Sequence, residues 1–175
     1  MSEIVIYTDG AMKGNQKKHL SAGRKGGVGV FFGDNDNRNI SLSIVENKCE
    51  VKSNEIYCDK ISNQVCELLA VIFAIEKVIN ENKQIVIYTD SMYVINSITK
   101  WAKKWEKNDW KKSDNNVILN KELIQKLYNL SNKYKVKYNH IRSHINNIKE
   151  SDPNYNHYYG NKMADLLAVN GTFSN

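Results

Sequence analysis

Four acidic residues carry the chemistry this chain is equipped for: Asp9 in IVIYTDG, Glu67 in SNQVCELLA, Asp90 in QIVIYTDS and Asp165 in NKMADLLA. Four carboxylates brought together repel one another strongly unless cations bind between them. Oxygen-only ligands select magnesium, with manganese as a substitute, over zinc. Two such ions about 4 Å apart activate a water and stabilise the leaving oxygen of an in-line phosphodiester displacement. The residue types therefore point to metal-dependent phosphoryl transfer, on condition that the four acids converge.

Each acid also has a plainer role to weigh against that chemistry. The same YTD tripeptide closes two β-branched and aromatic runs, which would set Asp9 and Asp90 at the carboxyl ends of neighbouring strands, where open α/β sheets place their sites. Taken singly, Asp9-Gly10 reads as a turn and Asp90-Ser91 as a helix start. Glu67 falls in a helix that is apolar around much of its circumference, and a carboxylate buried there costs several kcal/mol unless it is paired or binds a metal. Its partner is then a metal ion or a lysine. Asp165 is placed in the early part of the last helix, where the dipole favours an acid whatever its function.

The elements that must position these residues are legible as changes of period. Residues 4–8, 27–33 and 40–45 are short β-branched or aromatic runs and predict three initial strands. Residues 63–80 carry Val65, Leu68, Leu69, Ile72, Phe73, Ile75, Val78 and Ile79 and predict a largely buried helix. A strand over 84–90 follows, then a helical segment that Ser91 can cap, a helix near 117–131, a strand at 135–141, a long polar loop and a helix from about Asn161. The stretch 46–61 shows no clear period and reads as a surface excursion. Strands first, then helices alternating with strands, imply an α/β fold with a mixed sheet flanked by helices.

Composition narrows the classes. At 175 residues, 41% hydrophobic and 25% charged, the chain reads as one globular domain over 1–175 with a packed core. A formal charge of +6 and a pI of about 9.1 favour a polyanionic partner. Cys49, Cys58 and Cys66 show no CxxC spacing, which points away from zinc and disulfide frameworks and toward a reducing compartment. The start, MSEIVIYTDG, lacks a signal-peptide pattern, and no apolar run is long enough to span a bilayer. The expectation is a soluble intracellular monomer, of cytoplasm or nucleus, with no membrane partner.

The order YTDG, SNQVCELLA, YTDSMYVINSITKWAKKW, IRSH and GNKMADLLA resembles ribonuclease H type 1 along nearly the whole chain. The resemblance implies an RNase H-like fold with a central five-stranded mixed sheet flanked by helices. It also implies an endonuclease that cuts the RNA strand of RNA/DNA hybrids with two Mg2+ ions, leaving 3'-hydroxyl and 5'-phosphate ends. Asp9, Glu67, Asp90 and Asp165 fall on the family's catalytic, metal-binding acids. His144 falls on its mobile-loop histidine, with His140 and His157 as competitors for that role, since the loop from His144 to Asp165 is longer than in compact bacterial enzymes. A DNA-acting nuclease of the same fold and a non-catalytic hybrid-binding module are the rival functions.

Telling RNA from DNA requires reading the 2'-hydroxyl in a wide, shallow minor groove. By the resemblance, Asn15, Asn63 and Gln64 contact the minor groove and RNA sugars, with backbone groups near Asp9 and Met92 contributing; for Asn63 the plainer reading is a helix N-cap. WAKKWEKNDWKK interleaves tryptophans with lysines and resembles the basic protrusion of eukaryotic-type members. There, Tyr93, Trp101 and Trp105 fall on a DNA-binding channel, and Ser62 and Asn120 on residues that grip a DNA phosphate. The plainer alternative makes the tryptophans packing residues, Trp110 first among them. The first loop, with Lys13, Lys17, Lys18, Arg24 and Lys25, is either a source of phosphate contacts or a tolerated insertion. A separate N-terminal hybrid-binding domain is not expected, and neither is high processivity.

Overall fold

A computed structural model describes residues 2–13, 24–46, 55–58, 60–114, 116–142 and 148–173. In chain order the elements are β1 (Glu3–Met12), β2 (Lys25–Phe31), β3 (Ile40–Glu46), β4 (Glu55–Cys58), α1 (Asn63–Val78), β5 (Gln84–Thr89), α2 (Met92–Asn96), a π-helical turn over Ser97–Trp101, α3 (Ala102–Glu106), α4 (Lys121–Lys133), β6 (Lys137–His140) and α5 (Tyr155–Gly171). The β-branched runs become one sheet of order β4-β3-β2-β1-β5-β6. β1, β2 and β3 pair antiparallel, whereas β5 joins β1, and β6 joins β5, in parallel. The expected mixed sheet flanked by helices is present.

Two helices sandwich that sheet. α1 lies on one face against β1 and β2, with α4 packed on its outer side. That is why its circumference is apolar: Leu68, Val71, Ile72 and Ile75 are fully buried. Each side chain of that size contributes about 1.5–3 kcal/mol when removed from water. α5 covers the opposite face across β1, β2 and β3, where Tyr7 and Phe31 form a second, aromatic core with Ala164.

Four boundaries differ from the sequence expectation. β1 runs past the expected turn at Asp9-Gly10 to Met12, because Gly10, Ala11 and Met12 continue the antiparallel ladder with Val28, Gly27 and Gly26. Part of 46–61 is β4, a sixth strand parallel to β3 at the sheet edge, whose four residues are too few to show a period. α4 starts at Lys121 and not near 117, because Asn120 takes a left-handed backbone conformation (φ 57°) and the buried Ile118 plugs the core from the loop. α5 starts at Tyr155, six residues before the expected Asn161. Its first turns are anchored by aromatic contacts instead of an aliphatic stripe: Tyr159 lies edge-on to Phe31 and His157 stacks on Tyr88. Asp165 therefore sits well inside the helix, beyond the first turn where a dipole alone would favour an acid.

Candidate active site

The parallel register of β1 and β5 pairs Thr8 with Thr89, so the next residues, Asp9 and Asp90, stand side by side, Asp90 just past the end of β5 and Asp9 inside β1, which runs on to Met12 instead of turning at Asp9-Gly10. Two close approaches bring in the other acids. At Gly10 a Cβ would lie 2.3 Å from the backbone nitrogen of Glu67, so only glycine lets α1 seat on β1 at the level of that glutamate. At Gly29, the partner of Asp9 across β1 and β2, a Cβ would lie 2.0 Å from the carbonyl oxygen of Ala164, which sets the following residue, Asp165, beside Asp9.

Electrostatics record the convergence. Burial first, and then Asp90, with smaller contributions from Asp165 and Glu67, push the Asp9 carboxyl up to about 8, against the pull of the Gly10 N–H that donates to its Oδ1 at 2.7 Å. Burial also raises Glu67, as does Asp90, while two donors work the other way. The Ser91 hydroxyl donates to Oε2 at 2.5 Å and the Asn63 amide to Oε1 at 3.0 Å. No basic side chain among the described residues acts on either acid, so the lysine partner envisaged for Glu67 is not met there.

Ser91 has a second task that the sequence did not reveal. Besides capping α2 by accepting from the Val94 N–H, it orients Glu67, and its place directly after Asp90 is the only sequence signal for that. Asn63 differs from its plainer reading as well: the N-cap of α1 is Ser62, whose Oγ accepts from Val65 N at 3.2 Å, leaving the Asn63 side chain exposed and turned to Glu67. Gln64 is half-buried in the same first turn, and Met92 is exposed just past Asp90.

On the other side, Asn120, Tyr93, Trp101 and Trp105 form one continuous chain of contacts. The Asn120 amide donates to the Tyr93 hydroxyl at 3.1 Å, Tyr93 meets Trp101 edge-on at 6.1 Å, and Trp101 lies 5.9 Å from Trp105. The π turn over Ser97–Trp101, a feature frequent at functional sites, changes the helical phase just where this aromatic row begins. Trp105 and Trp110 pack against the core, Trp110 edge-on to Tyr128. Asn15 and His144 lie outside the described residues. Of the competing histidines, His157 is engaged elsewhere, with Nδ1 at 3.0 Å from the Tyr7 hydroxyl and its ring stacked on Tyr88 at 4.2 Å. His140 ends β6 and is exposed.

The RNase H family model matches residues 1–173. The chain belongs to the RNase H family. It is 34% identical to "Ribonuclease H" of Schizosaccharomyces pombe, over 95% of this chain and 52% of that one, and 34% identical to "Ribonuclease H" of Orientia tsutsugamushi, over 96% and 81%. "Ribonuclease H1" of Homo sapiens is 30% identical over 96% of this chain and 49% of its own. The chain thus spans about half the length of the fission-yeast and human relatives. Among solved structures, the foamy viral protease-reverse transcriptase in complex with RNA/DNA hybrid shares the fold at TM-score 0.67 and 20% identity, over 97% of this chain and 20% of that one. LC9-RNase H1, a type 1 RNase H with the type 2 active-site motif, does so at 0.67 and 22%, over 99% and 73%.

A divalent metal is the family's usual requirement, and the donor set fits one. It is all oxygen, it is crowded with like charge, and its acids are held by neutral donors where a salt bridge would compete with a metal. Among the described residues no group of three or more Asp, Glu, His or Cys side chains forms a ready-made cage for one ion.

Proposed function

We propose that this chain is a ribonuclease H: an endonuclease, acting as one catalytic domain over 1–175, that hydrolyses the RNA strand of RNA/DNA hybrids. The observation that carries the reading is the convergence of Asp9, Glu67, Asp90 and Asp165 upon one another within a family whose relatives bear that name. Bound between these carboxylates, two Mg2+ ions, or Mn2+ in their place, would generate a hydroxide nucleophile and neutralise the leaving oxygen, giving 3'-hydroxyl and 5'-phosphate ends. Asp9 and Asp90 present carboxylates from neighbouring positions on paired strands, Asp9 within β1 and Asp90 just past β5, and Asp165 completes the ring from α5. Glu67 is oriented by hydrogen bonds from Ser91 and Asn63. His144 is assigned to proton transfer or product release, for which an imidazole is suited.

Asn15, Asn63, Gln64 and the backbone at Met92 are the readers of RNA sugars in this scheme. Tyr93, Trp101 and Trp105 form the channel for the DNA strand, as in eukaryotic-type members, and Ser62 and Asn120 hold its phosphate. The continuous chain from Asn120 to Trp105 supports that reading. We infer an intracellular, monomeric enzyme; no helix among the described residues is long and apolar enough to cross a membrane. The test is cleavage of matched RNA/DNA, DNA/DNA and RNA/RNA duplexes. Cutting confined to RNA in the hybrid is expected, and equal cutting of DNA/DNA would assign the chain to the DNA-acting nucleases of this fold.

A further inference from the structure

Next to the acids, at the same end of the sheet, lies a cleft of ≈ 360 Å³ walled by Tyr88, His140, Arg142, Asn154, His157 and Tyr158. Its floor is the strand that carries the site: Tyr88 precedes Asp90 by two residues, and His140 pairs with Thr89 in the β5–β6 register. Among the described residues, none of those assigned to the hybrid lines it.

The chemistry of this wall is one-sided. Arg142 offers a guanidinium, His140 and His157 offer imidazoles, Asn154 an amide and Tyr158 a phenol, and among the described residues no carboxylate lines the cleft. Arg142 is exposed and enters none of the ion pairs among the described residues. Asp152, the nearest acid in sequence on the wall's helical side, turns its carboxylate to the backbone N–H of Asn154 at 2.8 Å.

His157 is fixed in orientation by two contacts, the stacking on Tyr88 (4.2 Å, 16°) and the bond between Nδ1 and the Tyr7 hydroxyl. Burial, followed by the neighbouring Tyr88, pushes the Tyr7 phenol up to about 12, so it keeps its proton and can donate to Nδ1. The Nε2 of His157 then carries a hydrogen to offer. The 17-residue α5 begins at the same wall, directly after Asn154, and the positive end of its dipole adds to the attraction for an anion.

We propose that this cleft is a phosphodiester-binding subsite, which takes a backbone phosphate of the nucleic-acid strand that runs past Asp90, with Arg142 as its principal charge. Arginine suits the task because its planar fork matches phosphate oxygens, and the immobile rings around it confine the phosphate to one place. The inference rests on the reading of the acids as a nucleic-acid site and extends the footprint toward β6, away from the tryptophan row.

The experiment is a fluorescence-anisotropy titration of a labelled RNA/DNA hybrid onto the Asp9→Asn chain in magnesium, repeated over a range of salt with Arg142→Ala, Arg142→Lys and, as a control outside the cleft, Lys126→Ala added. Loss of one phosphate contact should weaken binding about tenfold at low salt and reduce the log–log salt slope by about 0.9. Arg142→Lys should restore the slope, and Lys126→Ala should alter neither quantity. Inorganic phosphate, followed by thermal shift in the same variants, addresses the other source of the anion. Unchanged affinity and slope in Arg142→Ala overturn the proposal, also where phosphate alone gives an Arg142-dependent shift, because the cleft then takes the free anion and not the strand. Cleavage of the hybrid by the wild-type chain is scored separately, so failure to cut would refute the assigned activity while the salt slope still decides the cleft.

Discussion

At Asp9 the fold places a carboxyl where burial and three other acids all oppose its charge, so that it reaches about 8 from an ordinary 3.8. A carboxyl whose folded pKa is raised contributes stability that is fully present below its unfolded value. That stability is lost as pH rises through the window from about 4 to 8. In EDTA the chain should therefore lose stability over that window, and Asp9→Asn, which cannot ionise, should not. At pH 8 the variant is expected to be more stable by at least about 1 kcal/mol, roughly 2–4 °C in thermal denaturation for a chain of this size. Magnesium should raise the melting temperature of wild type more than that of the variant, by binding the charged, folded form. Equal melting curves across pH would show that Asp9 carries no such strain. Only Glu67 among the four acids was singled out by its own surroundings in the sequence; the role of Ser91 as its donor was hidden, because a serine after an acid at a helix start is accounted for by capping alone.

Most strands of the sheet were legible as β-branched or aromatic runs, and the repeated YTD marked β1 and β5 as neighbours that present acids together, although β1 continues through Asp9-Gly10 to Met12 because its ladder with β2 does. β4 was not, being only four residues at the sheet edge. The early start of α5 was missed because its anchors, His157 and Tyr159, hold by ring contacts that leave no aliphatic period. The helical region after Asp90 was read as regular, and its π turn depends on packing that a local pattern does not encode. That turn divides the tryptophans: Trp105 packs on the core, whereas Trp101 touches Tyr93 and Trp105 at the surface row. Trp101→Ala should thus weaken hybrid binding by about 1–3 kcal/mol with little change in melting temperature. Trp105→Ala should lower both, and anisotropy with thermal denaturation on the two variants separates the effects. If Trp101→Ala lost stability instead of affinity, the row would be packing and not a strand channel.

Over the whole molecule, a net charge of +6 coexists with a cluster of four acids, an arrangement that draws a polyanion toward the chain yet leaves its centre repulsive until cations bind. Clusters of basic residues lie in the first loop, with Lys13, Lys17, Lys18, Arg24 and Lys25, and in the 100–112 segment, with six lysines, and both were visible along the chain. The cleft at Arg142 was not visible, because His140, Arg142 and His157 come from different elements that only the parallel placement of β6 and the seat of α5 bring together. The account stands or falls on whether the acid cluster cuts RNA with metal. Its most direct test is single-turnover cleavage of an RNA/DNA hybrid, labelled at the RNA 5' end, by wild type and Asp9→Asn with magnesium and with EDTA. Wild type should cut only the RNA strand, only with metal, and leave 3'-hydroxyl ends, while Asp9→Asn should lose at least about 4 kcal/mol of transition-state stabilisation, roughly a thousandfold in rate, with hybrid affinity retained. Undiminished cleavage by Asp9→Asn, or cleavage that persists in EDTA, would contradict it.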